Sequence, residues 1–152
     1  MLVFLGNGQL VELYAVEFDP LLSDCLEPLH HVGYATAPDP GGPWTEYGSN
    51  PFITFGATYD AGTVADPYCL YVGGAWYIYY ACSTTTSTPW QTAVGWTSDW
   101  TTFHKVGLWL PHEASGWDAQ DSFRGAITVV GREYVAPTRA RIQRTRLFTM
   151  LE

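Results

Sequence analysis

The sequence has little charge, and what it has is unevenly spread. Lys, Arg, Asp and Glu make up only 14% of its 152 residues, and six of the seven basic residues (Arg124, Arg132, Arg139, Arg141, Arg144 and Arg146) stand at or beyond position 124. Residues 1–123 carry thirteen acidic residues against one cation, Lys105, a net charge of −12. Such a body repels phosphate backbones, which excludes nucleic acid as its partner. The Arg-rich end reads as a solvated or foreign segment, with anion binding as the alternative. Three cysteines (Cys25, Cys69 and Cys82) show no C-x-x-C spacing and are too few for a disulfide framework. Cys69 and Cys82 lie in apolar runs, where a buried free thiol is the default. The opening MLVFLGNGQLVELYAVEF lacks a basic segment and is broken at Gly6-Asn7-Gly8, so it reads as neither a signal peptide nor a membrane span. Localisation is not legible. Helical periodicity is also missing ahead of the Arg-rich end.

Aromatic residues are abundant, at 16% with seven Trp and ten Tyr, and fifteen Gly and ten Pro punctuate the chain at strand-length intervals. This balance favours an all-β chain. An internal repeat gives the architecture. Tyr59-Asp60-Ala61 to Val72-Gly73 aligns without gaps, at a shift of 58, with Trp117-Asp118-Ala119 to Val130-Gly131. A second pair, VGYATAPDPGGPWTEYG from Val32 and VGWTSDWTTFHKVG from Val94, follows at a shift of 62. A unit of about 60 residues suits one four-stranded propeller blade. In the best-preserved unit, strands are expected over Ala65–Val72, Trp76–Cys82, Thr92–Thr97 and Phe103–Leu108, with a hairpin at Gly73-Gly74.

The first unit enters late, with Met1–Leu5 and Leu10–Phe18 as its hairpin. The last breaks after Tyr134 and Val135, where Pro137 and a run of arginines end the pattern. The expectation is one whole blade flanked by two partial ones, about two and a half blades over residues 1–135. Residues 136–152 are read as a basic tail, either the mark of truncation or a terminal helix. An incomplete propeller leaves a blade face and strand edges uncovered, which favours self-association.

VADPYCLYVGGAWYIYYACS and VGYATAPDPGGPWTEYGSNPFI resemble segments of the five-bladed β-propeller glycoside hydrolases of families 43, 32, 68 and 62, and of the related mannoside phosphorylases. The resemblance covers roughly residues 5–135. It implies a carbohydrate substrate and hydrolysis of O-glycosidic bonds by paired carboxylates, supplied by different blades. The alternatives are a carbohydrate-binding propeller without catalysis, or an inactive fragment. Calcium in the axial channel is implied for some relatives, but the four histidines match no metal-ligand spacing, so no metal ligands are assigned.

The resemblance makes Asp66, in its Ala-Asp-Pro, the first catalytic candidate, as base, nucleophile or the carboxylate that tunes the acid. The repeat sets Asp66 opposite Arg124, so blade architecture does not demand an acid there. Asp121 faces Thr63 in the same alignment and is the second candidate. Arg124 is a candidate for forking onto a sugar hydroxyl or a carboxylate. Trp117 and Tyr59 are candidates for stacking on a sugar, against inter-blade packing as the alternative. Asp60 and Asp118 recur and read as architectural. No glutamate has the setting of a general acid.

Overall fold

Short apolar stretches that alternate with glycine turns close into antiparallel hairpins, and the computed structural model shows hairpins throughout. It describes the chain outside residues 1, 6–7, 19–28, 87–88, 117–118, 120, 123–127, 131–132, 138–144 and 150–152. Among the described residues there are strands and no helix. The first sheet contains β1 (Leu2–Phe4), β2 (Leu10–Phe18), β3 (Leu29–Ala37) and β4 (Thr45–Glu46), side by side in that order. The second contains β5 (Thr63–Val72), β6 (Ala75–Ser83), β7 (Gln91–Thr97) and β8 (His104–Leu110), again in order. In the third, β10 (Glu133–Pro137) lies between β9 (Thr128–Val130) and β11 (Thr145–Thr149). The architecture is that of an all-β, partial propeller.

The second sheet follows the sequence closely. Gly73 and Gly74 take φ of +58° and +89°, the paired left-handed geometry that suits a two-residue hairpin to twisted strands. The first unit is also a four-stranded sheet, although β1 and β4 span only three and two residues. The expected boundary at 135 falls inside β10, and Thr145–Thr149 of the expected tail is a strand paired with it, from Pro137↔Thr145 to Glu133↔Thr149, rather than part of a terminal helix.

The first two sheets share one core. Val11 and Leu13 of β2 and Val32 and Tyr34 of β3 pack with Val64 and Cys69 of β5, Ile78, Tyr80 and Cys82 of β6, and Ala93 of β7. Burying each large aliphatic side chain contributes about 1.5–3 kcal/mol. The Cys69 and Cys82 thiols are buried, and desolvation pushes each up to about 12, so both are inert. The chain between the sheets is stitched to β3. The Asn50 amide accepts from the Tyr34 N–H (3.1 Å) and donates to the Tyr34 carbonyl (3.0 Å), which also accepts the Tyr47 N–H (3.0 Å). Further along, the Val32 N–H donates to the Ile53 carbonyl (3.0 Å), and the Ile53 N–H to the Val32 carbonyl (2.9 Å).

At the β7–β8 turn, Asp99 Oδ1 accepts the backbone N–H groups of Thr101 (2.8 Å) and Thr102 (3.0 Å). Thr97 Oγ1 accepts the Trp100 N–H (3.0 Å), and Trp100 adopts φ +58°. Gly95 is a packing glycine: a Cβ there would overlap the Phe103 ring and approach the His104 carbonyl to 2.7 Å.

Two predictions follow for urea denaturation. Gly95→Ala should lower stability by about 2 kcal/mol through overpacking, while Gly48→Ala, with open space at its Cβ, should leave it unchanged. The backbone N–H groups of Thr102 and Thr101 hold the Asp99 carboxyl well below the usual carboxylate range. A lowered folded-state pKa adds stability that is complete above the unfolded value, about 3.9, and is lost as pH falls towards the folded one. The stability gap between the protein and Asp99→Ala should therefore be widest above about pH 5 and narrow below about pH 4.

Candidate functional site

β5 ends the second sheet's strand order, with β6 as its ladder partner, and meets β2 and β3 of the first sheet. Its register with β6 runs from Thr63↔Ser83 to Ala65↔Ala81, breaks, and resumes at Tyr68↔Tyr79. Asp66 and Pro67 form the break. Proline has no N–H to give a ladder, so an edge strand with a bulge is where it fits. Asp66 is exposed and takes φ +45°, a left-handed conformation. Asp enters that region more readily than most residues, yet a sparsely populated backbone costs of order 1–3 kcal/mol.

Six residues earlier, Asp60 is fully buried. Its Oδ1 accepts the backbone N–H groups of Gly56 (3.0 Å) and Ala57 (2.7 Å). Its Oδ2 accepts the Tyr80 hydroxyl (3.1 Å) and forms an ion pair with Lys105 Nζ at 2.5 Å. The carboxylate thus joins the segment before β5 to β6 and β8. Tyr59 stands beside it, half-buried against the core and hydrogen bonded to Tyr80. Burial raises the Tyr59 phenol, and burial followed by the hydrogen bond to Tyr59 raises that of Tyr80 further. The expected sugar-stacking residue Tyr59 is therefore placed in a packed polar network.

Asp121 lies at the entry to β7. Its Oδ1 accepts the Trp90 N–H (3.1 Å), while the Ser122 N–H donates to the Trp90 carbonyl (2.8 Å) and the Thr92 hydroxyl to the Ser122 carbonyl (3.0 Å). Thr63, its partner in the repeat, does the same for the preceding sheet, where Thr63 Oγ1 accepts the His30 N–H (3.2 Å) at the start of β3. The two positions differ in residue type but share a job: each ties the chain entering one unit to the third strand of the unit before. Arg124, Trp117 and Asp118 lie outside the described residues.

His31 is buried, stacked on Phe55 at 4.7 Å, and desolvation lowers its pKa, with His30 and Lys105 adding to the effect. Among the described residues no group of three or more His, Cys, Asp or Glu is placed to hold a metal ion. Sequence reading missed Lys105 as Asp60's partner, because 45 residues of chain separate them.

The Asp60–Lys105 pair has a direct test. Lys105→Met leaves a buried carboxylate without its cation and should lower stability by about 2–3 kcal/mol, discounted for the partial exposure of Lys105. Adding Asp60→Asn in the same chain should recover part of that loss in a double-mutant cycle.

No protein-family model matches the sequence, and no curated protein matches it. Solved structures do. Zg3597, a family 117 glycoside hydrolase from the marine bacterium Zobellia galactanivorans, superposes with a TM-score of 0.78 at 16% identity, over 96% of this chain and 48% of its own. The beta-1,2-mannobiose phosphorylase of Listeria innocua, in complex with beta-1,2-mannobiose, gives 0.72 at 14% identity over 93% and 50%. A variant of the Bombyx mori GH32 beta-fructofuranosidase BmSUC1, in complex with sucrose, gives 0.70 at 16% identity over 90% and 28%. The chain spans about half the length of the first two and less of the third. It has the fold of part of a β-propeller, of the kind found in these carbohydrate-active enzymes.

Proposed function

We propose that this chain forms part of a propeller that cleaves O-glycosidic bonds of an oligo- or polysaccharide, as the resemblance to family 43 and its relatives implies, with Asp66 as one of the reacting carboxylates. The observation that carries the reading is an exposed aspartate at φ +45° in a bulge of the strand that opens its sheet. Strain at an exposed acid is a reason to look for function, and bulges recur beside active sites. The disaccharides held by the fructofuranosidase and the phosphorylase support a carbohydrate substrate.

Glycoside cleavage needs a protonated carboxyl to assist the leaving oxygen and an ionised one on the other side, about 5–9.5 Å away depending on stereochemistry. Asp66 supplies the ionised group, as base or nucleophile, or tunes its protonated partner. The partner acid is not assigned to a described residue, and another part of a complete propeller is its natural source. Asp121 remains the second candidate, with Oδ1 engaged by Trp90. Val106 and Leu108, exposed on β8, support self-association of the chain.

The test is turnover of aryl arabinofuranosides, xylosides, mannosides and fructans, with and without inorganic phosphate, by the protein and by Asp66→Asn. The variant should keep its fold and sugar affinity and lose about 10³-fold in kcat/KM, the range of a general acid or base. Equal rates would remove Asp66 from the chemistry. Binding without turnover by either protein would identify a sugar-binding module instead.

A further inference from the structure

We propose that Asp60, charge-balanced by Lys105, is the positioning residue for Asp66, an inference that rests on reading Asp66 as a reacting carboxylate. Asp60 acts through the backbone, along a stretch of chain in which Asp60 itself and, past the exposed Ala61, each residue from Gly62 to Ala65 is held. Asp60 is fixed by Gly56, Ala57, Tyr80 and Lys105. The Gly62 N–H donates to the Ser83 carbonyl (3.0 Å), and Gly62 packs so closely on the Thr85 backbone that no Cβ fits between them. Thr63 pairs with Ser83 and accepts the His30 N–H. Val64 is fully buried opposite Cys82, and Ala65 is paired with Ala81. Asp66 is the next residue, where the ladder breaks.

A strained conformation persists only when its surroundings over-determine it. For Asp66 the residues ahead of it supply that constraint, and the constraint begins at Asp60. The six residue steps from Asp60 to Asp66 reach at most about 20 Å in extended form, a distance over which a turn displaced at one end is transmitted to the other unless the intervening chain gives way. Lys105 is the one cation in residues 1–123, so no nearby lysine or arginine of that stretch can take its place. Reactivity at the bulge therefore depends on a residue of β8, the strand at the opposite side of the sheet.

The experiment compares Asp60→Asn, Lys105→Gln and the milder Tyr80→Phe with the unaltered chain, using amide hydrogen exchange and steady-state kinetics, with Lys105→Arg as the conservative control. Exchange at Gly62–Ala65 should accelerate roughly tenfold while the β2 amides of Val11–Leu13 stay protected. With a substrate that the protein turns over, kcat should fall roughly 10- to 100-fold, as misplacement of a reacting group by about 1 Å does. KM should stay within about twofold, and Lys105→Arg should restore kcat. Unchanged exchange at Gly62–Ala65 would overturn the inference, as would equal loss of protection in every strand, which marks general destabilisation. So would unaltered kcat in all three variants alongside an inert Asp66→Asn. If the unaltered chain turns over no sugar, as a propeller without its partner acid would not, the exchange pattern alone decides whether Asp60 positions the bulge.

Discussion

A carboxylate taken out of water must be met by donors on each side, and Asp60 meets that requirement by drawing three parts of the chain to one point. The N–H groups of Gly56 and Ala57 come from the chain that crosses between sheets, the hydroxyl of Tyr80 from β6, and the ammonium of Lys105 from β8. β5 and β8 lie at opposite sides of this sheet and share no ladder hydrogen bonds. The ion pair couples the approach to one with the position of the other. Replacing a buried pair by apolar residues is often neutral for stability, so the consequence to weigh is where β5 begins as much as how firmly the sheet holds. The shared core of Val11, Leu13, Val32, Val64 and Ile78 supplies the non-directional attraction. Directional contacts then choose one arrangement within it.

What could be read from sequence follows from the range over which each signal acts. Gly73-Gly74 declares its hairpin because the requirement for positive φ is local to those residues. Strand ends of the second sheet came within two residues of the expected ones for the same reason, with alternation and turns both acting over a few positions. β4 was legible only through the repeat, which sets a strand after Trp44-Thr45 ending in Gly48: two residues, Thr45 and Glu46, carry no periodicity of their own, and their pairing with Ala35 and Thr36 depends on β3. Arginine content concealed β11, although Thr145–Thr149 contains the apolar pair Leu147-Phe148. The site was half legible. Asp-Pro at 66–67 was visible, and a proline inside a strand-like run already signals an edge or bulge. The pairing of Asp60 with Lys105 was not, because a contact between distant parts of the chain has no spacing rule.

The likeness to known propellers at 12–16% identity, without a matching family model, has a physical basis in the same separation of ranges. A blade is specified by alternating apolar residues and by turn residues, and many sequences satisfy both. Individual positions become strict where backbones touch. Gly62 against Thr85 and Gly95 against Phe103 and His104 are such positions, and neither would be chosen by strand propensity. The clips made by Thr63 and Asp121 show the opposite freedom: a hydroxyl in one unit and a carboxylate in the next both accept an N–H at the entry to the third strand of the preceding unit.

That freedom bears on which acids of this acidic chain do chemistry. Asp39, Asp60, Asp99 and Asp121 each accept a backbone N–H through a side-chain oxygen, which gives each a structural role whatever else it does. Asp66 is distinguished by its backbone. Among the described residues two that are not glycine have positive φ, Trp100 and Asp66. For Trp100 packing is the evident cause: it is buried beside Tyr34, Phe52 and Trp76, its N–H is accepted by Thr97, and its carbonyl accepts the Tyr34 hydroxyl at 2.5 Å. Asp66 is exposed, so core packing does not account for its conformation, whereas Asp60 and the residues from Gly62 to Ala65 ahead of it are held by hydrogen bonds, pairing and burial. The role proposed for Asp66 rests on this contrast between a closely fixed approach and an exposed acid left in a strained bulge, since strain of that kind is a reason to look for function.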